Sequence, residues 1–222
     1  MEYTIDIIRP DGEGIQFYLT SYKPFRLLAL QLSPEGMCSH HSLCKHEHAR
    51  NRLCISNLAH SSSDRCMYCT QPNPVIVALH AAYNSTYAQW SAFEDDGWIS
   101  RVTNPRATTF VATQHHGQGE RVISSLTLVA LDDNDQPAPS GTMSWHVNAV
   151  FTLPEARRKG VASAVMAAAK RFAQEHAESR NRRFRLLVTV LTANLDAKLL
   201  YENLGFKVHS VNEVEIKLVF EG

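Results

Sequence analysis

The sequence predicts a mixed α+β protein built on one central sheet. Stretches with strand character and stretches with helical spacing follow one another along the 222 residues in the order β, α, α, β, β, β, α, β, α, β. Residues 184–191 are apolar on both faces, which is typical of a central strand that is buried from both sides. The length is sufficient for one well-packed domain.

The first elements are a strand and a helix. Residues 3–9 alternate enough to form a strand, which Pro10-Asp11-Gly12 ends. Apolar residues then recur at helical spacing from about 14 to 32, and the candidates for the buried face are Phe17, Phe25, Leu28 and Leu32. Pro24 has no backbone N–H, so it must kink or split this helix. Residues 86–101 resume a helical pattern.

Residues 40–85 interrupt this regular order. They contain four of the five cysteines and show little sustained periodicity. So long a stretch inside a compact domain indicates an insertion, and a translated intron is one hypothesis for its origin. A zinc site is the alternative, since Cys66-x-x-Cys69 could combine with Cys44 or Cys54 and with His46 or His48. No second CxxC pair follows at a standard spacing, so we expect no metal.

Three strands are predicted next, over residues 108–113, 121–131 and 141–152. The last of them ends at Pro154 and leads through a basic loop into a helix from about Ala162. Unpaired N–H groups and the positive dipole end at the start of that helix could hold a pyrophosphate. Gly160 would let the backbone approach the phosphates without a Cβ in the way. Arg157, Arg158 and Lys159 add positive charge.

Two blocks of the sequence resemble the GNAT acetyltransferases. The spacing Arg157-x-x-Gly160-x-Ala162 after a hydrophobic strand is similar to their acyl-CoA-binding loop, Arg/Gln-x-x-Gly-x-Gly/Ala. Residues 194–206, with Asn194, Leu200-Tyr201 and Gly205-Phe206, look like the helix and turn that close the GNAT core. The blocks occur in the GNAT order, joined by a helix and a buried strand. The resemblance covers about residues 100–222 and extends more weakly over 1–39.

The resemblance implies a mostly antiparallel central sheet flanked by helices, in which the fourth and fifth strands splay apart to form the acyl-CoA cleft. Acetyl-CoA would be the co-substrate, with its pantetheine arm lying along the open strand edge. The residues that would bind it by position are Val150, Phe151, Thr152, Arg157, Arg158, Lys159, Gly160, Val161, Ala162, Ser163 and Asn194.

Two residues are carried over as candidate catalysts. Tyr201 matches the tyrosine that often protonates the CoA thiolate in GNAT enzymes, and a phenol is protonated at neutral pH. His146 lies eleven residues before Arg157, where some members carry a glutamate base, and histidine is suited to taking a proton near neutral pH. A water relay is the alternative to His146. Thr189 occupies another position of the family's base and cannot serve that role.

The resemblance therefore implies an acetyl-CoA-dependent N-acetyltransferase that acts on a small-molecule amine or a protein amino group by direct attack in a ternary complex. A catalytically impaired acyl-CoA-binding domain with a regulatory role is the alternative. The charge is balanced at 22 basic and 22 acidic residues, so we expect neither nucleic acid nor membrane as a partner. Without an apolar run of membrane-spanning length or a leader, and with an odd number of cysteines, we expect a cytoplasmic protein. Dimers are common in folds of the family that the sequence resembles, and we expect a monomer or a homodimer.

Overall fold

The computed structural model describes residues 2–33, 86–116, 119–131 and 141–222. In this part of the chain seven strands form one sheet in the order β1-β2-β3-β4-β5-β7-β6. The strands are β1 Thr4–Ile7, β2 Ala107–His116, β3 Gly119–Leu131, β4 Thr142–Thr152, β5 Arg183–Leu191, β6 Lys207–Val211 and β7 Glu215–Glu221. All neighbouring pairs are antiparallel except β4 and β5, which are parallel. The predicted mixed α+β fold is confirmed.

Helices flank this sheet. They are α1 Gly12–Phe17, α2 Lys23–Leu32, α3 Tyr87–Ser91, α4 Asp95–Val102, α5 Val161–Glu178 and α6 Leu195–Asn203. A π-helical turn, Tyr18–Tyr22, joins α1 to α2, and a 3₁₀ turn, Pro154–Ala156, precedes α5. The predicted insertion at 40–85 and the zinc alternative within it lie outside the described residues.

The N-terminal helix does not break at Pro24. The π turn directly precedes this proline, and the N–H of Lys23 bonds to the carbonyl of Tyr18. A wider turn at this point accommodates a residue without an N–H while the chain continues as a helix. The predicted buried face is only partly right, because Phe25, Arg26, Ala29 and Leu30 are buried whereas Leu32 is exposed.

Helix α5 packs along one face of the sheet. Its buried residues recur at helical spacing, and they are Val161, Val165, Met166, Ala169, Ala173 and Ala177. Phe172 meets Phe110 of β2 at 5.7 Å between ring centroids, and His176 meets Trp145 of β4 at 5.8 Å. Trp145 of β4 therefore faces α5, and alternation along the strand turns His146 to the opposite face.

A β-bulge changes this alternation further along β4. Thr127 of β3 pairs with Asn148 and Ser125 pairs with Phe151, so β4 has one extra residue in this interval. Ala149 within it has a φ of 53°. One inserted residue reverses which face the following side chains occupy. Phe151 consequently lies on the face opposite α5, where its ring meets Phe25 of α2 at 5.9 Å.

The sequence interpretation missed β6. It expected a single strand at 214–220 after the last helix, whereas the chain forms a hairpin of β6 and β7. All five residues of β6 are exposed. An edge strand with no buried side shows no alternation of apolar and polar residues, so the usual signal for a strand is missing.

Candidate functional site

An opening lies between β4 and β5. Their parallel pairing runs only from Thr142–Arg183 to His146–Leu187, although β4 continues to Thr152 and β5 to Leu191. Beyond His146 the edge of β4 that faces β5 has no strand partner among the described residues, which confirms the predicted splaying of the fourth and fifth strands. An unpaired strand edge offers backbone N–H and C=O groups to an extended ligand.

The predicted residues Val150, Phe151 and Thr152 lie on this open part of β4. Phe151 is buried, whereas Val150 and Thr152 are half-buried. Two serines of β3 hold the segment from its other edge. Ser125 Oγ donates to the Ala149 carbonyl at 3.1 Å, and Ser124 Oγ donates to the Phe151 carbonyl at 3.0 Å. These bonds tie the bulged backbone of β4 to β3 along the edge opposite the opening.

The loop after β4 folds back onto the end of the strand. Arg157 Nε donates to the Thr152 carbonyl at 3.0 Å, and its guanidinium lies 5.5 Å from the centroid of the Phe151 ring. Arg157 therefore positions the loop, in addition to carrying charge. Arg158, Lys159 and Gly160 are exposed next to it.

Two residues of the loop adopt left-handed backbone conformations. Arg158 has a φ of 61° and Gly160 a φ of 78°. A Cβ at position 160 would have no heavy atom within 4 Å. The positive φ needed to enter α5 is therefore a second reason for glycine here, in addition to the predicted close approach to phosphates.

The first turn of α5 has donors without partners inside the helix. Gly160 is the N-cap and provides no side-chain hydrogen bond, and the turn contains no acidic residue. The N–H groups of Val161, Ala162 and Ser163 precede the first intrahelical bond, which Ala164 N–H donates to the Gly160 carbonyl. This end of α5 offers three backbone donors and the positive end of the helix dipole.

His146 and Asn148 face the side of the sheet opposite α5 and are in contact. His146 Nδ1 lies 2.9 Å from Asn148 Oδ1. His146 is only 6% exposed, and this burial lowers its pKa to about 4, although the bond to Asn148 opposes the shift. The imidazole is therefore neutral at neutral pH. It is a weaker base than the sequence suggested, because it does not titrate near pH 7.

Tyr201 lies on the other side of the sheet from His146. Its ring meets Phe206 at 5.4 Å, and Lys170 of α5 lies 5.1 Å from the Phe206 ring. Tyr201 is 4% exposed, and burial raises the pKa of its phenol above the usual value. The two candidate catalysts thus lie on opposite faces of the sheet, and the phenol is protonated at neutral pH.

Asn194 is the N-cap of α6 and follows the end of β5, which pairs with β7 there but no longer with β4. Its Oδ1 accepts a hydrogen bond from the Ala197 N–H at 3.0 Å. The side-chain oxygen therefore already caps the helix. The backbone N–H donates to the Leu191 carbonyl and the backbone carbonyl accepts from the Lys198 N–H, which leaves the side-chain amide nitrogen for the predicted contact with pantetheine.

Sequence reasoning did not identify Ser124, Ser125 or Asn148 as part of the site. Two adjacent serines within an apolar strand are a signal that could have been found, because buried hydroxyls need partners. The described ranges contain no group of three or more His, Cys, Asp and Glu side chains arranged for a metal. Each helix in those ranges is too short or too polar to cross a lipid bilayer.

No curated protein sequence matches the chain. Among solved structures it is similar to NAA60 of Arabidopsis thaliana in complex with a bisubstrate analogue (14% identity, 59% of this chain and 84% of that chain, TM-score 0.49). It is also similar to the GNAT domain of PAT from S. lividans (19% identity, 59% of this chain and 70% of that chain, TM-score 0.46). A further similar structure is the PaiA N-acetyltransferase of Thermoplasma acidophilum in complex with coenzyme A (11% identity, 100% of each chain, TM-score 0.49).

A family model gives the more specific comparison. Residues 105–208 match the acetyltransferase (GNAT) domain, a range that includes the opening between β4 and β5, the loop with Gly160, helix α5 and helix α6. Both sequence blocks that resemble GNAT enzymes lie inside this match. The chain therefore contains a GNAT acetyltransferase domain over residues 105–208.

Proposed function

We propose that this protein transfers the acetyl group of acetyl-CoA to the amino group of a small molecule or a protein. The observation that supports this most strongly is the unpaired edge of β4 beside the uncapped first turn of α5. An extended arm and a pyrophosphate are the two parts of CoA that such an edge and such a turn would bind.

The residues predicted for acetyl-CoA would divide between these two parts. The backbone of Val150–Thr152 would pair with the pantetheine arm and the thioester oxygen, with Asn194 on the opposite side. The N–H groups of residues 158–163 would surround the pyrophosphate. Arg158 and Lys159 are exposed there, so their cationic groups are accessible to a phosphate.

The reaction would proceed by direct attack. The amine nitrogen forms a bond to the thioester carbon, the carbon–sulfur bond breaks, and the thiolate receives a proton. Tyr201 is the proposed donor of that proton, because burial keeps its phenol protonated. His146 or a water relay would take the proton that the amine loses. Neither GNAT-like block contains a cysteine, so no acyl-cysteine intermediate is proposed.

A catalytically impaired domain that binds acyl-CoA is the second candidate. The burial of His146 favours it, because an imidazole with a pKa of about 4 accepts a proton poorly at neutral pH. The two candidates agree on acetyl-CoA binding and differ on turnover.

A measurement of CoA thiol release distinguishes the two candidate functions. We expect the protein to release thiol from acetyl-CoA in the presence of some members of a broad amine panel, with one acetylated amine formed per thiol. Acetyl-CoA binding without amine-dependent release for any member would favour the second candidate. Absence of acetyl-CoA binding by the folded protein would refute both.

A further inference from the structure

A cluster of aromatic and basic side chains lies where the N-terminal helical segments meet. It is called the Arg26 cluster below and consists of Tyr18, Tyr22, Arg26, Trp90, Trp98 and Arg101. The Trp90 and Trp98 rings meet at 4.9 Å, and Tyr18 meets Trp98 at 6.1 Å. The guanidinium groups of Arg26 and Arg101 lie 4.9 Å and 4.3 Å from the centroid of the Trp90 ring.

Arg26 is buried, and two of its nitrogens lack an acceptor in the part of the chain that the structure describes. The residue is 3% exposed, and neither Nε nor Nη1 has a hydrogen-bond partner there. The indole Nε1 of Trp98, which is fully buried, also has none. A buried donor without an acceptor loses its hydration and gains nothing in return, and the loss is larger when the donor is charged.

The charged groups around Arg26 do not offset the cost of burying its positive charge. Arg26 and Arg101 form no ion pair with a carboxylate in the described ranges. Burial lowers the pKa of Arg26, and Arg101 lowers it further, while the nearby Tyr22 and Tyr18 act in the opposite direction. Lys23 differs, because its ammonium lies 5.6 Å from the Trp98 ring but is paired with Asp95 at 2.8 Å. The described residues therefore give the guanidinium groups of this cluster no negatively charged partner.

The unsatisfied groups specify the chemistry of a missing ligand. All of them are donors, so the ligand must supply acceptors. A carboxylate supplies both the negative charge and the acceptor oxygens that the Arg26 guanidinium lacks, and the Trp98 indole N–H is a further donor in the same cluster. If position 26 only filled space, an unbranched apolar side chain of similar length would serve better than an unpaired cation.

We propose that the Arg26 cluster is a binding site for the carboxylate group of a small molecule. Such a carboxylate has two sources: the amine that accepts the acetyl group, or a separate molecule that is not acetylated. The site lies near the open edge of β4, since Tyr22 meets Phe25 at 6.1 Å and Phe25 meets Phe151 at 5.9 Å. Only the first source rests on the proposed function.

A thermal melt with sodium acetate tests the shared chemistry. We expect acetate to raise the Tm of the wild-type protein above its value in sodium chloride of equal ionic strength. This rise should level off as the acetate concentration increases. Arg26→Met should lose this rise, while its own Tm without acetate should equal or exceed that of the wild type. Lys23→Met is the matched control, because it removes a neighbouring cation that already has a partner, and it should keep the response to acetate.

Two results would overturn the proposal. One is an acetate response that is absent in the wild type or undiminished in Arg26→Met. The other is a Tm for Arg26→Met well below that of Lys23→Met, which would identify Arg26 as a structural residue of the core.

Thiol release with matched amines then distinguishes the two sources. Phenylalanine and phenethylamine are one such pair, and they differ only in the carboxylate. A preference for the amino acids that Arg26→Met abolishes assigns the carboxylate to the acceptor. Equal use of both amines, together with an acetate-dependent Tm, assigns it to a separate molecule. Binding of acetyl-CoA, measured in the same variants, tests the proposed function independently.

Discussion

Gly160 allows the proposed acetyl-CoA site to be tested with a closely matched control. Its φ of 78° is in the left-handed region, and a Cβ there would contact no heavy atom within 4 Å. Gly141, immediately before β4, has a φ of 75°, and a Cβ there would likewise have no heavy atom within 4 Å. An alanine at either position introduces the same backbone strain and no clash.

The expected cost of each alanine follows from the backbone alone. A left-handed conformation costs a residue with a Cβ about 1–2 kcal/mol. For a chain of this length 1 kcal/mol corresponds to about 2–4 °C in Tm, so Gly160→Ala and Gly141→Ala should each lower the Tm by about 2–8 °C. If the Gly160 variant relaxes its loop to relieve the strain, the N–H groups of residues 158–163 change direction.

The assay is a thermal melt of each variant with acetyl-CoA. A ligand at about a hundredfold excess over its Kd stabilises the folded state by about 2.7 kcal/mol, which corresponds to a rise of about 5–11 °C. We expect this rise in the wild type and in Gly141→Ala and a clearly smaller one in Gly160→Ala. Equal rises in the two variants would refute the assignment of the loop to acetyl-CoA. Gly160→Asn should retain more of the rise, because asparagine tolerates the left-handed conformation.

Three further predictions concern the candidate catalysts. Tyr201→Phe should lower kcat by about 10²–10⁴-fold if the phenol protonates the thiolate, with an unchanged Tm rise in acetyl-CoA; unaltered turnover would exclude that role. The pKa of His146 is about 4 in the folded state and 6.5 when exposed, so its contribution to stability is fully present above pH 6.5 and is lost as the pH falls towards 4. Between pH 7 and pH 4 the wild type should lose about 2–3 kcal/mol more than His146→Leu in denaturant unfolding, and parallel curves would contradict the lowered pKa. Asn148→Ala should change the pH profile of kcat/KM if His146 is the base and leave it unchanged if a water relay takes the proton.

The elements that form the site were predictable because the sequence determines them locally. The spacing of Val161, Val165 and Ala169 identifies a helix with one buried face, and the apolar residues of 184–191 identify a central strand. The loop between β4 and α5 was recognised from its glycine and its basic residues. Pairing of β4 with β5 over only part of their length followed from the family resemblance.

Other features depend on contacts that the local sequence does not encode. The bulge at Ala149 carries no glycine, and its effect on the direction of Phe151 depends on hydroxyl groups of β3. The lowered pKa of His146 depends on burial by distant residues. The helical pattern that contains Arg26 does not show which groups surround its guanidinium. Those surroundings depend on how α3 and α4 pack against α2.

Amide hydrogen exchange with and without acetyl-CoA tests the central claim most directly. If acetyl-CoA lies along the open edge of β4 and against the first turn of α5, exchange should slow in two separate segments, residues 147–152 and residues 158–163. Both segments should respond together over the same range of acetyl-CoA concentration. Protection confined to other parts of the chain, at a concentration that saturates binding, would contradict the assignment of acetyl-CoA to this opening.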